Sequence, residues 1–356
     1  HLLFGVIFGG LADRYDCRRI VQIAQGLFML ASLGWAIVII TGTLQPWNAV
    51  LLLSLHGLAS ALWGPAEQMM LYDIVGPEDL PSAVRLMATG LNLGMLVGPL
   101  IGAALLFTVG PAWGLLVNIA LYLPFIIYLG IVPYTGHTRA GQTPRPRLTL
   151  RQTFGVLGEI PRYPSVLTVF ILQGAVGLFI GTALLPLLPD FGELLGATGS
   201  GVGYGALIAA MSFGAVTAGV SLEAIGRIRA TAGLAIVSTI VFAASLIVFA
   251  LSHNLVLSVA MLVIAGMGNL TSASTSQAVV QLGAPADRRG RFLGAYSMTS
   301  MGLRLGSGVL IGVLASAFGP SVAIGVDAAA LLILATSLLA VVLVRRASAR
   351  PAATQP

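Results

Sequence analysis

Three observations predict an all-α polytopic membrane fold for this 356-residue chain. Apolar runs long enough to cross a bilayer recur along nearly its whole length. Hydrophobic residues make up 57% and charged residues only 8% of the chain, where a soluble domain carries about a quarter charged, and mean hydropathy is +0.96. Arginine is confined almost entirely to alternate connections between the runs, the distribution that orients membrane helices.

The runs fall at about 19–41, 47–72, 83–108, 112–132, 164–188, 197–220, 230–251, 254–280, 291–317 and 320–344. Each supplies the roughly 20 residues of a helical crossing, so ten complete transmembrane helices are predicted. Residues 1–10 form an apolar stub covering about half a crossing, which reads as the end of a helix in an N-terminally truncated piece. The 44 glycines and 18 prolines suit membrane helices, where small residues permit close contact and neighbouring helices repair proline kinks.

Arg14, Arg18, Arg19 and Arg85, the arginines from Arg139 to Arg162, Arg227 and Arg229, those from Arg288 to Arg291, and those from Arg345 to Arg350 share one side. The opposite loops contain none, so the arginine side is cytoplasmic and only Arg304 departs from the pattern. The net charge of +6 is therefore a topology signal, and no nucleic-acid partner is expected. All 18 basic residues are arginine, which excludes a Gly-Lys-Ser/Thr phosphate loop. No His-Glu-x-x-His motif occurs, and the single Cys17 excludes an internal disulfide or a cysteine-built metal site. No enzyme activity, catalytic residue, cofactor or metal is expected.

The longest connection divides the chain into a first bundle at 1–132, a cytoplasmic linker at 133–163, a second bundle at 164–344 and a cytoplasmic tail at 345–356. Pro133, Pro144, Pro146, Pro161 and five arginines mark the linker, in which Leu150, Phe154, Leu157 and Ile160 predict an amphipathic helix lying on the membrane surface. A repeat relates the halves. Gly9 with Asp13 recurs 210 residues later as Gly219 with Glu223, Gly98 with Gly102 recurs as Gly308 with Gly312, and Gly57 with Gln68 recurs at an offset of 209 as Gly266 with Gln277.

The densest charge lies in Gly9-Gly10-Leu11-Ala12-Asp13-Arg14-Tyr15-Asp16-Cys17-Arg18-Arg19, between two apolar segments. Glycines there let helix backbones approach, and the acid is suited to the positive end of a neighbouring helix. This stretch resembles the loop signature between the second and third helices of major facilitator superfamily transporters. Trp63-Gly64-Pro65-Ala66, the run from Val75 to Val84, Asn92-Leu93-Gly94 and Val97-Gly98-Pro99-Leu100-Ile101-Gly102 resemble the bacterial branch that includes enterobactin exporters. Asp16 and Cys17 stand where that signature often has Gly and a basic residue.

The resemblance implies the major facilitator fold, with the ten complete helices as numbers three to twelve. It implies a conformational latch in which Asp13, supported by Gly9, Arg14, Arg18 and Arg19, meets the start of helix eleven near Arg291. Gly219, Glu223 and Arg227 form its counterpart, facing Ser82 at the start of helix five. Gly94, Gly98, Pro99 and Gly102 resemble a shortened antiporter motif on helix five, where small residues admit another helix, Pro99 can bend the chain, and export is favoured. Helices four, seven and ten line the cavity in the superfamily, which raises His56, Trp63, Gln173, Asn269 and Gln277 as cavity residues; each also reads as interhelical glue.

Arg304 lies roughly 20 Å along its helix from Arg291, near the bilayer centre, where it needs a partner or water. Asp327 is the nearest candidate partner; a structural pair, substrate binding and coupling all remain open. Glu67 reads as a snorkelling or loop-paired acid about one turn from the cytoplasmic end of its helix. The combined reading is a secondary active exporter of a small organic molecule, siderophore-like or drug-like, working by alternating access. Its expected partners are that small-molecule substrate, protons and the lipid bilayer, and it is taken as a monomer in a bacterial inner membrane. An uptake permease for a polar nutrient and a non-transporting scaffold or sensor are the alternatives.

Overall fold

A computed structural model describes residues 4–139, 154–181, 184–195, 202–226 and 228–348. Its elements are helical, with no strand among the described residues. Helix α1 (Gly5–Arg14) is followed by α2 (Cys17–Thr41), whose N-cap Asp16 accepts from Arg18 N–H at 2.9 Å. Asp16 therefore fills the position expected to be glycine without any positive φ. Gly42, at φ 64, closes α2 in the left-handed region.

Helix α3 (Pro46–Val109) has 64 residues, about 96 Å at 1.5 Å per residue, or about three hydrocarbon thicknesses. Gly76, at φ 75 and ψ 179, breaks it. The expected spans at 47–72 and 83–108 thus meet at a single residue rather than through a loop. Then come α4 (Pro111–Ile131), two 3₁₀ turns (Val156–Gly158 and Ile160–Arg162), α5 (Pro164–Ala175) with a π segment (Val176–Ile180), and α6 (Leu184–Leu194). The chain continues through α7 (Val202–Ile225), α8 (Ala232–Leu251), α9 (Leu255–Gly283) and α10 (Arg289–Ser297). A second π segment (Met298–Gly302) leads into α11 (Arg304–Phe318), followed by α12 (Pro320–Ser348).

Among the described residues 8 helices are long and apolar enough to cross a membrane, or 9 if the 3₁₀ turns and Pro164–Ile180, bent by 115°, form one span. The difference from ten has two sources. Pro46–Gly98 counts as one helix, and the run at 164–188 is interrupted after its π segment at Gly181, φ 43. Exposed apolar side chains such as Ile131 at 77% and Val256 at 78% are those expected to meet lipid.

Only part of the expected amphipathic linker helix lies within the described residues; Leu150 lies outside them. From Val156 to Arg162 the backbone makes 3₁₀ turns, with Val156 and Ile160 buried and Phe154 and Leu157 exposed. Three residues per turn in place of 3.6, with Pro161 and Pro164 limiting helix growth, rotate the expected stripe apart.

The chain forms two compact units, each discontinuous in sequence. The first comprises His1–Leu80, Gly94–Arg162 and Val280–Met298. In it, α2 is tied to α4 by Gln22 Nε2 donating to the Ile126 carbonyl at 3.1 Å and by Asn118 donating to Ser32 at 3.2 Å. Asp73, 1% exposed, accepts from the backbone N–H groups of Gly136, Thr138 and Arg139 at 2.8–3.0 Å and so clamps the segment after α4. The second unit comprises Pro81–Leu93, Tyr163–Val279 and Thr299–Pro356. Its core joins Leu188 and Phe191 of α6, Phe242, Leu246 and Phe249 of α8, Leu262 of α9 and Leu331 of α12.

Candidate functional site

In the first unit, glycines bring two helix backbones together. A Cβ on Gly9 would lie 2.8 Å from the Gly290 carbonyl carbon, and one on Gly294 would lie 2.8 Å from that of Gly5. Both helices carry glycine at four-residue spacing, so α1 and α10 meet without intervening side chains. Helix α10 has no side-chain cap from its own N-cap residue, Arg288. Asp13 supplies one from α1, accepting from Gly290 N–H at 2.5 Å and from Arg291 N–H at 3.0 Å, while Arg291 Nε donates to it at 3.0 Å.

These backbone groups are among the unsatisfied N–H groups of a helix start, where the macrodipole also favours negative charge. Asp13 is 8% exposed and Arg291 7%. Burial pushes the Asp13 carboxyl up to about 6, against the hydrogen bond and charge of Arg291 and the two backbone donors.

The remaining residues of that loop are distributed around the contact. Arg18 donates to Asp16 at 2.8 Å and to the Val132 carbonyl at 2.6 Å. Arg14 lies over the Tyr15 ring at 5.5 Å, and Arg19 is exposed. Cys17 is fully buried, its thiol 3.4 Å from the Ala12 carbonyl.

The second unit holds a chemically different counterpart. Glu223 accepts from Ser82 Oγ at 2.5 Å and from Arg85 Nε at 2.8 Å. A Cβ on Gly219 would lie 2.8 Å from Thr89 Cβ, so α7 also approaches closely here. No backbone N–H enters this contact among the described residues, because the helix restarts just after Gly76 and Ser82 and Arg85 lie beyond its first turn. Arg85, 4% exposed, is a partner that the arginine pattern had marked only for topology. Arg227 lies outside the described residues.

Among the described residues no atom lies within 4 Å of a Cβ built at Gly94, Gly98 or Gly102, so the close approach expected on helix five is not seen there, and the same holds for the repeat positions Gly308 and Gly312. Pro99 is helical, and the non-helical backbone inside α3 is at Gly76. Close glycine contact occurs instead between α7 and α9, where a Cβ on Gly214 would lie 2.7 Å from the Val263 carbonyl carbon.

Gln173 is held inside the second unit, donating to Ser272 at 2.9 Å and Ser276 at 3.2 Å, with Thr239 and Ser272 sharing a bond of 2.6 Å. It is interhelical glue. Gln277 Nε2 and Trp63 Nε1 are buried without a hydrogen-bond partner, and His56 stacks at a tilt on Phe28 at 4.7 Å. Arg304 is exposed and opens α11 directly after the π segment. Asp327, 2% exposed, leaves Oδ2 without a hydrogen bond, so no pair with Arg304 forms through that oxygen. The two π segments of this unit lie against each other, since a Cβ on Gly177 would lie 3.3 Å from the Ser300 carbonyl carbon. Such segments weaken regular helix hydrogen bonding and mark places where a helix can bend.

Helices of bilayer length, with the acid of α1 capping the start of α10, fit a polytopic membrane transporter of the major facilitator class. A family model described as transmembrane secretion effector matches residues 1–355, and the chain belongs to that family. It is 24% identical over 347 residues to the enterobactin exporter EntS of Shigella boydii, covering 96% of this chain and 80% of that one. It is also 31% identical over 110 residues to a Na(+), Li(+), K(+)/H(+) antiporter of Planococcus maritimus, covering 29% of this chain and 24% of that protein. Solute carrier family 67 member A1 of Homo sapiens is 28% identical over 192 residues, 50% of this chain and 44% of its own length. The chain thus spans less than half of these last two relatives.

The fold is shared with the human organic anion transporter MFSD10, at TM-score 0.76 and 14% identity, covering 95% of this chain and 80% of that structure. The proton:xylose symporter XylE gives TM-score 0.69 at 14% identity, covering 94% and 83%.

Proposed function

We propose that the protein is a proton-coupled exporter of a small organic molecule, acting by alternating access in a bacterial inner membrane. The observation that carries this reading is the Asp13 cap on α10, a charge-assisted contact worth about 0.3–2 kcal/mol. That is large enough to bias two states of similar energy and small enough to break during a cycle. Glu223 with Arg85 is the matching contact of the second unit, and the two form and break in turn at the cytoplasmic face. In this reading the chain comprises two bundles joined at 133–163, with Asp327 the coupling acid.

Relatives described as an enterobactin exporter and a cation/proton antiporter support outward movement and proton exchange. The test is efflux from proteoliposomes with and without an imposed pH gradient, using siderophore and dye panels. Gradient-driven efflux that is lost in Asp13→Asn is the expected result. Inward accumulation of a polar nutrient would replace the proposal with the permease reading, and absence of any movement by folded protein would favour a scaffold.

A further inference from the structure

Ser60, Trp63, Glu67, Gln68 and Tyr72 of α3, before the Gly76 break, are half-buried. Ala59, Ala61, Leu62, Ala66, Met69, Met70 and Asp73 around them are buried. Ser60, Trp63 and Glu67 share one face at three- and four-residue spacing, and polar residues inside a membrane span turn toward protein or water rather than lipid. Glu67 precedes the break by nine residues, about 14 Å of helix, deeper than the end-of-helix position the sequence suggested.

Glu67 makes no hydrogen bond or ion pair among the described residues, and five arginines of its unit are engaged elsewhere. Arg18 pairs with Asp16, Arg288 with Glu159, and Arg291 with Asp13, while Arg139 donates to the Asp73 carbonyl. Arg289 lies over the Tyr72 ring at 3.6 Å and donates to the Gln281 carbonyl. The carboxylate is thus left uncompensated in a segment where charge is costly.

Its neighbours have the chemistry of a cation site. Trp63, one turn earlier, offers the ring type that attracts cations most strongly. Next to Glu67 in the chain, Gln68 is reached by Gln281 Nε2 at 3.4 Å while Gln281 Oε1 has no donor among the described residues. Elsewhere on α3 the chain already sets a guanidinium on an aromatic ring, Arg289 on Tyr72.

We propose that Glu67 and Trp63 bind the positively charged group of an organic cation, the substrate class of this transporter. The inference rests on the transport reading above, but the site can be tested without transport. Equilibrium dialysis of the purified protein against tetraphenylphosphonium and its isosteric anion tetraphenylborate separates charge recognition from greasy binding. The cation should bind and the anion should not. Glu67→Gln should lose tenfold or more in affinity, Trp63→Ala several-fold, and Glu67→Asp should retain most of it.

Labelling of Glu67 by dicyclohexylcarbodiimide, read by mass spectrometry, gives a second measure on the unaltered protein, and tetraphenylphosphonium should slow it. Equal binding of both ions, undiminished cation binding by folded Glu67→Gln, or labelling indifferent to the cation would each overturn the site. Glu67-dependent binding with no transport of any compound would leave the site standing and remove the transport reading. Transport of an anion without tetraphenylphosphonium binding would do the reverse.

Discussion

Asp13 and Gly290, 277 positions apart in the chain, share a hydrogen bond of 2.5 Å in which a carboxylate from α1 caps the start of α10. Two helices are thereby joined through groups that an isolated helix would leave unsatisfied.

Asp13→Asn keeps a hydrogen-bond acceptor and removes the charge. Loss of about 0.3–2 kcal/mol shifts an open-closed equilibrium by roughly 2- to 30-fold. Amide exchange at the start of α10 should accelerate by a factor in that range, and an unchanged rate would rule out a latch.

The glycines divide into two classes with opposite expected responses. Gly9→Ala drives a methyl group into the α10 backbone and should cost about 1–3 kcal/mol, whereas Gly98→Ala meets open space and should stay neutral or gain up to about 1 kcal/mol from helix propensity. Thermal unfolding in detergent compares them directly; equal losses would contradict the packing described.

In the second unit, Glu223→Gln leaves the buried guanidinium of Arg85 without its counter-charge. A buried pair broken on one side costs about 3–5 kcal/mol, and the one-third exposure of Glu223 places this case at or below the lower end. The double variant Glu223→Gln with Arg85→Leu should recover part of that loss. A double-mutant cycle on melting curves would expose strict additivity as the contrary result.

Asp327 presents the opposite balance, a buried carboxylate with one oxygen unpartnered. Asp327→Asn should raise the melting temperature by a few degrees while removing the dependence of transport on the pH gradient. Gradient-driven transport that survives the substitution would exclude this acid from coupling.

Bilayer-spanning runs were legible in the sequence because insertion depends on about 20 consecutive residues, a local property. The acids Asp13 and Glu223 were legible too, since a carboxylate beside glycine in a short loop has few other uses. Which surfaces meet was not legible, because helix packing depends on residues far apart in the chain. Gly94, Gly98 and Gly102 have the spacing of a packing motif yet meet no atom among the described residues, while Gly5, Gly9, Gly290 and Gly294, with the same spacing, bring two backbones together. Only the tertiary structure paired Glu223 with Arg85, set Asp73 on the segment after α4 and left Glu67 without a partner among the described residues, because each depends on the segment opposite rather than on its neighbours in sequence.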